Sequence, residues 1–204
     1  MVPASAIPEF ERQFGTAESA KWQEKASGCA FWTYKMEWIP GGEWGFQYAT
    51  DNGKIYAPAL FKLTVKDIEN KLELAATEFQ GALTAASSAH QQFWDKTSPG
   101  QPFEHWRYSD GYTAGWNDAR DFFGARANTV IPSCGGLGTP DATCPTRRFD
   151  DNLVIGADTI GALDLWVLKR MMEANVADKA VTPFGWEREQ RFRDGVKGFA
   201  NAIV

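Results

Sequence analysis

The sequence predicts a mainly α protein: a helix–strand–loop segment over residues 1–60, then two αα-hairpins packed as a small helical domain over 61–204. Two observations carry this. From residue 64 onward, apolar residues recur every three or four positions in four separate runs, the spacing of one helix face. The runs also fall into two pairs, each a helix, a Pro-Phe-containing turn and a second helix opening near a Trp.

Residues 1–27 open with Pro3 and Pro8 and then read as helix, with Phe10, Phe14 and Trp22 as an apolar stripe. Thr16 is a plausible N-cap for its second part, and Gly28 a plausible stop. Residues 29–36, CAFWTYKM, read as a strand apolar on both faces, a pattern expected inside a sheet covered by helices. Residues 37–60 read as an irregular loop punctuated by Pro40, Gly41, Gly42, Asn52 and Gly53, yet carrying Trp38, Trp44, Phe46, Tyr48 and Tyr56. An aromatic loop of this kind points to function rather than mere connection.

The long helix is expected at about 64–96, with Ile68, Leu72, Ala76, Phe79, Leu83, Ala86, His90 and Phe93 inward and Ser98-Pro99-Gly100 as its end. A second helix is expected at about 109–125, a Gly/Pro-rich loop at 126–157, a third helix at 158–177 and a fourth at 186–203. Aligning Trp106 with Trp186 sets Tyr112 on Phe192 and Gly115 on Gly195, a degenerate repeat that would let two helices approach closely at the glycines.

Composition narrows the function. With 44% hydrophobic and 23% charged residues, a chain of 204 can bury a sizeable core. A net charge of −5 argues against nucleic acid, which needs a basic surface. No apolar run approaches the ~20 residues of a membrane span, so no membrane partner is expected. The first residues lack the charged and apolar regions of a signal peptide. Nine tryptophans alongside 14 Phe and 5 Tyr suit an aromatic core, or a surface that covers the flat C–H faces of sugar rings.

Neither a metal nor a cofactor is expected. His90 falls on an apolar helix face and reads as a satisfied core histidine, while His105, between Glu104 and Trp106, reads as a capping or packing residue. Three cysteines without a Cys-x-x-Cys spacing do not suggest a metal cluster. Cys134 and Cys144 flank a Gly/Pro loop and could form a disulfide in an oxidising compartment, contributing ~2–3 kcal/mol on the chain-entropy model. Cys29 reads as a buried thiol.

One segment is specific. GCAFWTYKMEWIPGGEWGFQY, through Phe31, Trp32, Thr33, Lys35, Glu37 and then Glu43, Trp44, Gly45, Phe46 and Gln47, resembles the last barrel strand and following loop of fungal exo-β-1,3-glucanases of glycoside hydrolase family 5. Tyr34 stands where that pattern has Trp, and Met36 where it has Thr. Residues 60–204 more loosely resemble the helical extension of some fungal members. The resemblance implies that residues 1–60 derive from a (β/α)8 barrel that hydrolyses β-glucan with retention. It implies Trp32 as an aromatic platform under the sugar and Trp44 at the substrate entrance. With their neighbours Tyr34, Glu37 and Trp38 they form the candidate substrate-binding set for a β-glucan or oligosaccharide.

A whole barrel needs ~250 residues, and no Asn-Glu-Pro or Gly-Glu-Trp-Ser segment occurs here. Both catalytic glutamates of the pattern would precede residue 1, in an N-terminal barrel part of a parent enzyme, which that parent family secretes. Catalysis by Glu37 and Glu43 is not expected, because a retaining pair must be held ~5–5.5 Å apart by rigid elements and these two share one Gly-Pro loop. The chain alone is therefore expected to be an inactive C-terminal portion of a glucan-hydrolysing protein. The alternatives are a non-catalytic β-glucan-binding or protein-interaction module, or a purely structural helical domain.

Overall fold

The computed structural model describes residues 7–25, 33–34, 45–128, 131–132, 146–147, 149–178 and 185–203. These are mainly helical, in the order α1 (Ile7–Lys25), α2 (Phe46–Asp51), α3 (Val65–Thr97), α4 (Trp106–Gly124), β1 (Ile131–Pro132), β2 (Thr146–Arg147), α5 (Leu163–Asp178) and α6 (Gly185–Ala202). The two short strands pair antiparallel, Ile131 with Arg147 and Pro132 with Thr146. The strand expected at 29–36 lies outside the described residues except for Thr33 and Tyr34. No helix among the described residues is long and apolar enough to cross a membrane. The chain divides into two compact units, Met1–Pro58 with Gly161–Trp166, and Ala59–Ile160 with Val167–Val204.

In the first unit α1 departs from its expected face. Phe10 and Phe14 are 56% and 59% exposed, whereas Gly15 and Ser19 are buried. The small residues win because they permit a close approach: a Cβ at Gly15 would fall 1.9 Å from the Lys54 carbonyl oxygen. Lys54 also pairs with Glu11 at 2.7 Å. Thr16 caps nothing, since α1 runs through it without a break. The expected loop at 37–60 contains α2, whose first amides are satisfied by Thr33 and Tyr34 carbonyls at 2.8 and 3.0 Å.

The second unit opens with a 3-10 turn at Ala59–Lys62, and α3 follows it behind a capping box. Thr64 Oγ1 accepts from the Asp67 amide at 3.1 Å, and Asp67 Oδ2 accepts from the Thr64 amide at 2.9 Å. That amide holds the Asp67 carboxyl below its ordinary range. The next amides of α3 are taken by Leu153 and Asp151 carbonyls. Thr64→Ala should lower the urea-denaturation stability by about 1 kcal/mol.

The long helix is where the periodicity put it, but its stripe drifts. Val65, Ile68, Ala75 and His90 are buried, Ala76 is exposed instead of Ala75, and Phe93 is 57% exposed while Trp94 turns inward. The contacts of α3 with α4 run in opposite senses: Leu72 meets Gly124, Phe79 meets Trp116, Ser87 meets Ser109 and His90 meets Tyr108, so the two helices are antiparallel. Against α6, α4 runs parallel. A Cβ at Gly115 would lie 2.0 Å from the Phe192 carbonyl oxygen, and one at Gly195 would lie 2.0 Å from the Tyr112 carbonyl oxygen. Backbone meets backbone there, and Trp116, Phe123, Phe192 and Phe199 close the core around the crossing.

The third helix starts at Leu163, five residues later than expected, and the amides of Ile155, Gly156 and Ala157 before it donate to the Leu63 and Leu60 carbonyls rather than along a helix. Arg126 grips Asp158 at 2.7 and 2.8 Å and the Ile155 carbonyl at 2.9 Å. Gly156 and Ala162 also take positive φ, which a helix cannot. Further along α5, Arg170 donates to both carboxylate oxygens of Asp118 at 2.6 Å.

Candidate functional site

The end of α3, the turn before α4 and the first turns of α4 and α6 converge on one polar cluster. His90 comes from α3, His105 from the turn, Arg107 and Tyr108 from α4, and Glu187 and Arg191 from α6. Aromatic rings hold the helix ends together: Trp94 lies 5.1 Å from Trp186 and 5.2 Å from Phe103, and the two histidine rings are 5.3 Å apart, centroid to centroid.

Burial makes the cluster unusual. Glu187 is fully buried, and His90, Arg107 and Arg191 nearly so. A buried charge is costly unless paired and fully hydrogen-bonded. Arg107 pairs with Glu104, and Arg191 with Asp194 at 2.6 Å. Glu187 has a hydrogen bond to His90 alone, at 3.2 Å from Nε2, with Arg191, His105 and Arg107 near enough to act on its charge.

Arg191 Nη2 also hydrogen-bonds His90 Nδ1. A guanidinium only donates, so Nδ1 is the acceptor and the Nε2 proton points to Glu187. Burial, followed by the nearby Arg191 and His105, pulls His90 down to about 4, so the ring is neutral at pH 7. Burial likewise raises Glu187, and pushes Tyr108 up to about 12. Glu187 Oε1, His105 Nδ1 and Arg191 Nε are buried without a hydrogen-bond partner.

Beside the cluster opens a cleft of about 330 Å³, lined by His90, Phe93, Trp94, Tyr108, Gln190 and Arg191 with two alanines.

This is not the site the sequence suggested. Of the candidate substrate-binding set, only Tyr34 lies among the described residues; it is 69% exposed and stacks on Phe46 at 6.5 Å. Trp32, Glu37, Trp38, Trp44 and the cysteines Cys29, Cys134 and Cys144 lie outside them. Sequence reading placed His90 on an inward face correctly but left it without His105 and Glu187 as neighbours. It missed Glu187 and Arg191 altogether. Extending the Phe192–Gly195–Phe199 stripe back from Gly195 by four and eight residues reaches both, so the signal was a core stripe with charges on it.

Fold and cluster together define a helical domain with a buried polar centre. The chain belongs to the family described as the glucan 1,3-beta-glucosidase 3 C-terminal domain, whose match covers residues 75–203 and so runs from within α3 through α6. It is 29% identical over 111 residues to glucan 1,3-beta-glucosidase 3 of Schizosaccharomyces pombe, covering 54% of this chain and 22% of that protein. It is 24% identical over 172 residues to an uncharacterized glycosyl hydrolase of Saccharomyces cerevisiae, covering 84% of this chain and 25% of that protein. The matched part is thus at most a quarter of the length of these relatives. No solved structure matches the chain.

Proposed function

We propose that this chain is the C-terminal portion of a β-1,3-glucan-hydrolysing protein, non-catalytic by itself. In this reading residues 1–60 supply the last helix, strand and aromatic loop of a (β/α)8 barrel, whose remaining part would be the partner. The observation that carries the reading is the family match over the helical domain, adjoining a segment that resembles a barrel strand and substrate loop. The helical part is read as a two-fold αα-hairpin repeat. The reciprocal contact of Gly115 with Phe192 and Gly195 with Tyr112 supports the equivalence of α4 and α6, whereas among the described residues α5 is not packed on α6 as α3 is on α4.

Purified chain should release no glucose from laminarin or an aryl β-glucoside above a buffer control. Activity that disappears on Glu37→Gln or Glu43→Gln would overturn the reading. The second reading, a non-catalytic β-glucan-binding module using Trp32, Tyr34, Glu37, Trp38 and Trp44, is favoured by the exposed, stacked ring of Tyr34. Laminari-oligosaccharides should then change Trp fluorescence, and Trp32→Ala should weaken that response by roughly tenfold; no change at millimolar ligand would remove the second reading.

A further inference from the structure

We propose that His90, His105 and Glu187 form a binding site for a divalent transition-metal ion, with zinc the ion their ligand types fit best. Three observations meet here. One nitrogen from each histidine and a carboxylate oxygen of Glu187 lie within 4.8 Å of one another. The His90 Nε2 to Glu187 Oε2 separation of 3.2 Å is close to the ~3.3 Å edge of a tetrahedron with metal–ligand bonds of about 2.0–2.1 Å. Two orphaned polar atoms, Glu187 Oε1 and His105 Nδ1, belong to these same residues. A fully buried carboxylate with one oxygen unpartnered is what a missing cation leaves behind.

The charge balance points the same way. Around the histidines stand Glu187, Glu104, Asp95 and Asp194 against Arg107 and Arg191. Arg107 and Arg191 are taken up by Glu104 and Asp194, which leaves the buried Glu187 carboxylate facing the imidazoles without an ion-pair partner among the guanidinium groups. Two imidazoles and one carboxylate are borderline ligands that suit zinc and leave a fourth coordination position for water.

The arrangement also imposes a requirement. A metal on Nε2 moves the imidazole proton to Nδ1, so Arg191 must release that nitrogen. Asp194 already holds the guanidinium at 2.6 Å and can retain it. Bound metal would join the end of α3, the turn before α4 and the start of α6, three segments far apart in sequence.

The chain contains two histidines only, which makes the test sharp. The full chain is stripped with chelator and titrated with Zn²⁺ by thermal melting and with Co²⁺ by absorbance. Zn²⁺ at about a hundredfold excess over Kd should raise the melting temperature by several degrees. Co²⁺ should give d–d bands of tetrahedral intensity without a thiolate charge-transfer band. Glu187→Gln and His105→Asn should each lose both signals, by more than the about 10–100-fold that changing a supporting residue costs. Should Glu187→Gln fail to fold, His105→Asn carries the test, since the His105 side chain is 27% exposed and tolerates replacement. No melting shift with Zn²⁺, a thiolate band with Co²⁺, or bands that survive His105→Asn would each overturn the proposal.

Discussion

Gly195→Ala and Gly115→Ala are each expected to cost about 3 kcal/mol or more, above the usual overpacking penalty of about 1–3 kcal/mol. A Cβ at either position would fall 2.0 Å from a carbonyl oxygen of the facing helix. The obstacle is backbone, so no rotamer change can relieve it, and α4 and α6 must separate along their whole contact. Separation loosens Tyr112, Trp116, Phe192 and Phe199, which the crossing buries. The better helix propensity of alanine, about 1 kcal/mol, offsets only part of this. Gly81→Ala is the internal control. Gly81 is exposed on α3 with nothing within 4 Å of its Cβ position, so alanine there should stabilise by roughly 0.5–1 kcal/mol. Urea denaturation of the three variants should therefore show opposite signs for one chemical change. The Gly115→Ala/Gly195→Ala double variant should lose less than the sum, because both act on one interface. Equal, small effects at all three sites would mean that α4 and α6 do not cross at the glycines.

Phe192→Ala should cost about 3–5 kcal/mol, the range for deleting a fully buried aromatic side chain. Phe192 is completely buried and its backbone is the one Gly115 touches. The cavity cannot collapse readily, since α4 already lies against α6 at the glycines. A midpoint shift in urea with an unchanged slope would confirm a simple loss of stability. A loss under about 1 kcal/mol would place Phe192 at the edge of the core rather than within it.

The helices of the second unit were legible because their signals are local. The apolar stripe from Ile68 and the Ser98-Pro99-Gly100 stop marked α3, which runs for 33 residues, whereas its Thr64–Asp67 capping box emerged only from the structure. Gly115 and Gly195 stood out as equivalent positions before any contact was known. Other features were not legible. Phe10 and Phe14 look like a core stripe but stay exposed, because the small face of α1 packs closer to Lys54. The short helix α2 is hidden among glycines and aromatics, and its first amides depend on Thr33 and Tyr34, more than ten residues away. The late start of α5 follows from the positive φ of Ala162 and from long-range partners, the Leu60 and Leu63 carbonyls and Arg126, whose grip on Asp158 crosses 32 positions.

The site divides in the same way. Periodicity and punctuation, which act within a turn or two of the chain, determined that this protein is mainly helical, where α3, α4 and α6 run, and that His90 points inward. Only the tertiary structure decided that His90, His105 and Glu187 meet. Their separation in sequence is 15 residues for the histidines and 97 for His90 and Glu187. What joins them is the antiparallel run of α3 on α4 and the close parallel crossing of α4 on α6. That crossing seals the first turn of α6 under the end of α3, so a glutamate that would be solvated on an isolated helix becomes a buried carboxylate facing an imidazole.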